Sequence, residues 1–211
     1  TIWVQLLSSG AGWSLDGNAG TVSGTHFIGT TDNVPLEVRV NDERSGWIAT
    51  GPMTGVGGNT SLGYQALDLN TTGTHNSAFG FQALMDNTTG FFNTAVGVGA
   101  LRSNTAGNSH TAVGRQALEL NIGYSNSALG SAALMSNTGG VQNTGLGMSA
   151  LTTNTLGSNN TGVGSGALFM NTTGSNNTAL GQGAMVGNTV ANGNTGLGAN
   201  ALGVNSTGNS N

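Results

Sequence analysis

Three carboxylates, Asp68, Asp86 and Glu119, fall at related points along the chain and are the natural place to look for acid–base chemistry. A glycosidase needs a pair of them, about 5–5.5 Å apart in retaining enzymes and about 6.5–9.5 Å apart in inverting ones. Asp68 and Asp86 are separated by one 17-residue repeat plus one residue, so in a stacked array they take adjacent positions of opposite parity and diverge. Solvated charges that discourage edge-to-edge pairing are the plainer reading. Arg102 and Glu119 occupy the same place in successive repeats. A surface ion pair is expected there, worth at most ~1 kcal/mol. Residues 145–150, 162–167 and 196–201 fit the dinucleotide pattern G-x-G-x-x-A. A true fingerprint opens a helix and is followed by an acid about 20 residues on; here no acid lies downstream. No G-x-S-x-G occurs, so no nucleophile elbow is indicated. His26, His75 and His110 lie in separate coils or domains, and the turns lack the aspartates of calcium-binding β-rolls. No catalytic, cofactor or metal site is expected, and the chain is read as no enzyme.

What could position such residues is a repeat. The unit N-[TS]-[AGS]-[VLF]-G-x-x-A-[LM] begins at Asn59, Asn76, Asn93, His110, Asn126, Asn143, Asn160, Asn177 and Asn194, with His110 taking the asparagine place. The spacing is 17 throughout, except for 16 between His110 and Asn126. A second asparagine follows three residues after each Leu or Met: Asn70, Asn87, Asn104, Asn121, Asn137, Asn154, Asn171, Asn188 and Asn205. The N-x-T sequons at Asn70, Asn87 and Asn171 follow from this consensus and carry no evidence of glycosylation.

Each unit has two Asn corners, which tolerate left-handed backbone and bond their own main chain. The segments between, about five residues each, are too short for helices and suit strands. Alternation along the first strand puts the Val/Leu/Phe series (Leu62, Phe79, Val96, Val113) with the constant alanines (Ala66, Ala83, Ala100, Ala117) on one face. The constant Gly and the Leu/Met (Leu67, Leu84, Leu101, Leu118) fall on the other. The expected fold is all-β: a parallel β-solenoid of about nine 17-residue coils over 59–211, about 43 Å long at ~4.8 Å per coil. Like residues should stack into ladders, asparagine above all. An interior of one Val or Leu, one Ala and one Leu per coil is thin, so oligomerisation is expected to bury a second apolar face. Residues 1–58, which hold Trp3, Trp13 and Trp47, read as a small β-rich cap. Within it Leu36, Val38 and Val40 alternate with Glu37 and Arg39 before an Asn41-Asp42 turn.

The bulk composition agrees with a solenoid. Glycine is 38 of 211 residues and only 6% are charged, yet 36% are hydrophobic and recur at fixed spacing, which favours order over a flexible linker. Arg39, Arg44, Arg102 and Arg115, the whole basic complement, are too few and scattered to displace counterions from nucleic acid. No apolar run reaches 18 residues, so no membrane insertion is expected. Cysteine is absent, which suits a surface protein without fixing a compartment. The chain starts without Met and stops at the first residue of a further repeat, and is read as a segment of a longer polypeptide. Tyr64, Phe81, Phe91, Phe92 and Tyr124, with His75 and Arg115 in comparable rows, lie in the first half of the array. The five aromatics are candidate surface contacts for a sugar or a partner protein.

The unit resembles the repeats in heads of trimeric autotransporter adhesins, and still more the N-T-A-V-G-x-x-A-L-x-x-N-T-T-G arrays of phage and bacterial tail-fibre-like proteins. The stretch GNAGTVSGTHFIGTTDNVPLEVRVN, residues 17–41, resembles segments of the latter. The resemblance implies an intertwined homotrimeric fibre outside the cell, on a virion tail or bacterial surface, that attaches to a glycan or protein receptor. The endosialidase-type chaperone that often ends such fibres has no counterpart in these residues. An alternative from another class is ice binding by the Thr/Ser ladder of Thr60, Ser77, Thr94, Thr111, Ser127, Thr144, Thr161, Thr178 and Thr195.

Overall fold

In the computed structural model, residues 34–49 and 57–211 are described below. The chain divides into two compact units, Thr1–Val34 and Pro35–Asn211. Trp3, Trp13, His26 and most of the 17–41 stretch lie outside the described residues. The second unit begins with the expected hairpin. Strands β1 (Leu36–Val40) and β2 (Glu43–Ile48) pair antiparallel. Asn41 and Asp42 join them at φ 51° and 64°, the left-handed pair that a tight two-residue hairpin turn requires.

The remaining strands are three residues long and one per coil: β3 (Thr60–Leu62), β4 (Ser77–Phe79), β5 (Thr94–Val96), β6 (Thr111–Val113), β7 (Ser127–Leu129), β8 (Thr144–Leu146), β9 (Thr161–Val163), β10 (Thr178–Leu180) and β11 (Thr195–Leu197). With the hairpin they make one 11-stranded sheet in sequence order. β2 meets β3 antiparallel, and every later pair is parallel and in register, Thr60 on Ser77 and Thr94 on Thr111. The fold is a parallel β-solenoid, and no helix occurs among the described residues. Coils are numbered one to nine below from their anchors, Asn59 to Asn194.

Two asparagine ladders pin the coils together. The Oδ1 of each anchor asparagine accepts the N–H of the next anchor: Asn76 N–Asn59 Oδ1 is 2.8 Å and Asn93 N–Asn76 Oδ1 is 3.0 Å. The anchor's amide donates across its own coil, as from Asn76 Nδ2 to Gly90 O at 2.8 Å. The second asparagines bond amide to amide, Asn87 to Asn70 at 2.9 Å and Asn171 to Asn154 at 2.7 Å. Most also donate to the glycine carbonyl three residues on, as from Asn87 Nδ2 to Gly90 O at 3.1 Å, with Ala191 taking the glycine place for Asn188. Both rows are almost wholly buried, so their polar atoms have only one another and the backbone to satisfy them.

The interior departs from strict alternation. The strand does not run on past its third residue, because the glycine that follows turns the chain. Gly80 has φ +134°, and a Cβ there would stand 2.7 Å from Gly97 O in the next coil, which only glycine avoids. Beyond it the chain turns again, and the constant Leu or Met is left-handed in all nine coils, with φ between 51° (Leu84, Leu101, Leu202) and 55° (Leu67, Leu151). That rotation brings Leu inside beside its neighbour Ala: Ala83, Leu84, Ala100 and Leu101 are all fully buried. The Val/Leu/Phe series points outward instead. The core per coil is therefore Leu or Met, its adjacent Ala, and the small residue at the centre of the strand, Ala95 or Gly145 for example. Left-handed backbone costs an L-residue about 1–2 kcal/mol. Burying a leucine contributes about 1.5–3 kcal/mol, and in coils 1–8 the left-handed N–H is bonded to the next coil, as Leu84 N is to Ala100 O at 3.0 Å. The second segment of each coil is thus a run of turns, where a second strand was expected.

Candidate functional surface

The outer face of the sheet carries two parallel rows. Strand geometry sends the first and third residues of each strand to the same side, away from the core. The first row is the Thr/Ser series from Thr60 to Thr195. The second is apolar, and seven of its nine members, Leu62, Phe79, Val96, Leu129, Leu146, Leu180 and Leu197, are 37–72% exposed. Val113 and Val163 are half-buried. Two residues further on, Tyr64, Phe81, Val98 and Met148 are also exposed. Sequence reasoning placed the second row in the core. The signal that could have moved it outward was the adjacency of the constant Ala and Leu, since two neighbours in a strand cannot share one face.

The five candidate aromatics form two groups and one outlier. Tyr64 and Phe81 stack with centroids 5.6 Å apart and planes at 22°. Phe91 and Phe92 meet edge-on at 5.3 Å, and Phe92 lies 5.1 Å from the His75 ring. All four rings are exposed. Tyr124 holds the same place in its coil as Phe91 does, but a coil bearing Asn108 comes between. Ser109 N bonds Phe91 O and Ser125 N bonds Asn108 O, at 3.1 and 3.0 Å.

Of the three candidate carboxylates, Asp68 and Glu119 are taken up by a cation or an amide. Arg44 reaches Asp68 at 3.3 Å while its guanidinium lies 4.7 Å from the centre of the Trp47 ring. The expected pair of Arg102 and Glu119 forms at 3.5 Å, and Gln116 donates to the same carboxylate at 2.8 Å. Among the described residues no group of three His, Cys, Asp or Glu side chains converges to hold a metal. The three G-x-G-x-x-A stretches begin at the centres of β8, β9 and β11, where Gly145, Gly162 and Gly196 are buried against the leucine or methionine of the preceding coil. Turns, not a helix, follow them. The sequon asparagines Asn87 and Asn171 are fully buried in their ladder.

His110 replaces an anchor asparagine and is buried at 1% exposure. Loss of solvent lowers its pKa from the usual 6.5 to about 4, against the raising influence of bonds to Gly123 and Asn126. The imidazole is therefore neutral in the folded array at neutral pH. No family model, curated protein or solved structure matches the chain, so its family is not fixed by likeness and the β-solenoid stands on its own geometry.

Proposed function

We propose that the chain is a shaft segment of a trimeric attachment fibre, in which the outer apolar row packs against two further copies and the exposed aromatics meet a cell-surface receptor. The observation that carries the reading is that row. A continuous apolar ladder on one face of an 11-stranded sheet is more than isolated surface hydrophobics, and such faces mark association sites. The buried ladders leave the outer rows as the surface on which recognition can vary. The setting implied is extracellular, on a virion tail or a bacterial surface. Light scattering on the purified chain is expected to give three times the chain mass, reduced by Leu146→Asp combined with Leu180→Asp. A monomer at the highest soluble concentration removes the reading.

Ice binding is a second reading, favoured by one observation: the Thr/Ser hydroxyl row repeats in register on the outer face. Against it, the adjoining row is uneven, with Phe79 beside Val96. Measurable thermal hysteresis would favour ice binding over the fibre; ordinary freezing behaviour removes it.

A further inference from the structure

Coil 4 is where the two asparagine ladders are disturbed. Its anchor is His110 and it is one residue short. The imidazole reproduces both jobs of the anchor amide. Asn126 N donates to His110 Nδ1 at 3.1 Å, as other anchors donate to Oδ1. Nε2 lies 2.9 Å from Gly123 O, the contact that the anchor amide makes elsewhere. Gly123 is 13 residues from its anchor, where the regular separation is 14. The longer side chain and the shortened coil thus compensate one another.

The compensation is incomplete. Asn121 Nδ2 also lies 2.8 Å from His110 Nε2, so an amide donor and Gly123 O compete for one nitrogen that cannot serve both. Drawn there, Asn121 leaves Asn104 Oδ1 buried with no partner, although Asn87 and Asn137 have theirs. Gly107 closes over the spot, since a Cβ on it would stand 2.8 Å from Nε2. An unsatisfied buried acceptor costs about 1–3 kcal/mol.

We infer that coil 4 is an acid-sensitive rung: a proton taken from solvent onto His110 Nδ1 removes the acceptor of the Asn126 N–H and opens the array between coils 4 and 5. Both ring nitrogens are then donors, while Asn126 N and Asn121 Nδ2 still point donors at them. No charge sits at the ring to relieve it. The charged groups of the packed coils are Arg102 from coil 3 and Arg115 and Glu119 from coil 4, and coil 5 has none. Arg102 and Glu119 pair with each other, and Arg115 bonds Gln116, at the surface.

The sign follows from linkage. An opened coil returns His110 to its ordinary value of 6.5, whereas the closed one holds it at about 4. The closed state is fully favoured above about pH 6.5 and loses about tenfold per unit as pH falls, until the closed form also protonates near 4. Neighbouring coils interact only with each other, so opening this rung separates two stacks that each remain folded.

Residue-resolved amide exchange on the intact chain, corrected for the intrinsic pH dependence of exchange, tests this. Protection of the Asn126 and Leu118 amides, whose bonds to His110 Nδ1 and Ala133 O cross between coils 4 and 5, should fall about fortyfold between pH 6.5 and 4.5, while Thr161 and Thr178 hold theirs. Equal losses in coils 4 and 7, or none in coil 4, overturn the inference. Glu119→Gln should leave the loss intact; if it abolishes it, the carboxylate is the sensor and the inference fails. His110→Asn with one threonine inserted after Ile122 restores a 17-residue coil and should lose the acid response. If it folds and keeps the response, the inference is wrong. Should it not fold, the nitrogen shifts of His110 in the unaltered chain decide. An unprotonated Nδ1 that gains its proton as Asn126 loses protection supports the inference, and a ring already doubly protonated at pH 6.5 overturns it.

Discussion

Coils 1–4 and coils 5–9 share one interior and differ in almost everything outside it. Leu101 and Leu168 are equally buried and equally left-handed, at φ 51° and 53°. Outside, the first region carries the stacked aromatics, the Arg102–Glu119 pair and the short coil. The second has no acidic, basic or histidine side chain and adds a further ladder along the row that holds Phe91 and Tyr124 in the first. Val141 N bonds Ser158 Oγ at 3.1 Å, Ser158 N bonds Ser175 Oγ at 3.0 Å, and Ser175 N bonds Asn192 Oδ1 at 2.7 Å. An outer position can thus serve cohesion between coils or surface chemistry, while inner positions have no such freedom.

If that contrast is right, the largest effects should be blind to region. Leu101→Ala and Leu168→Ala are each expected to cost about 2–5 kcal/mol through a buried cavity, with similar values in denaturant titrations. A clearly milder loss in either region would break the equivalence of the interiors. Smaller effects should tell the regions apart. Asn154→Ala removes an acceptor for Asn171 and a donor to Asn137 and Gly157 and is expected to cost about 1–3 kcal/mol. Asn104→Ala deletes an oxygen that already lacks a donor, so it should cost less by about 1 kcal/mol. Equal losses would mean that coil 4 disturbs nothing. Smallest is the Arg102–Glu119 pair, in which Arg102 is 43% exposed. A double-mutant cycle should give at most ~1 kcal/mol, shrinking with added salt; a larger, salt-insensitive coupling would make the first region's surface part of its scaffold.

Much of the fold was legible in the sequence because spacing carries stacking. The 17-residue recurrence puts Thr60 on Ser77, aligns both asparagine rows and brings Arg102 to Glu119. The hairpin was legible because Asn41-Asp42 follows an alternating run. The facing of Ala and Leu was not. Parity assumes an extended chain, and leucine gives no sign of a left-handed backbone, a conformation bulky residues seldom take. Here burial and a bond to the next coil overrode that preference. The aromatics were found as residues, but their division into two groups depends on which side of the strand each row leaves. His110 and the missing residue were both visible, yet their mutual compensation needed atomic distances.

The uniform rung also bears on how such a chain changes over generations. Any gain or loss of one full repeat during copying of the gene leaves every ladder in register and alters reach by about 4.8 Å, so length can drift without a search for new packing. Exchanges that join a 17-residue rung to the 16-residue one out of phase would pair an asparagine with a span made for an imidazole. That single irregular rung is therefore a bookmark: copies of the array should lengthen or shorten freely on either side of it, and rarely across it.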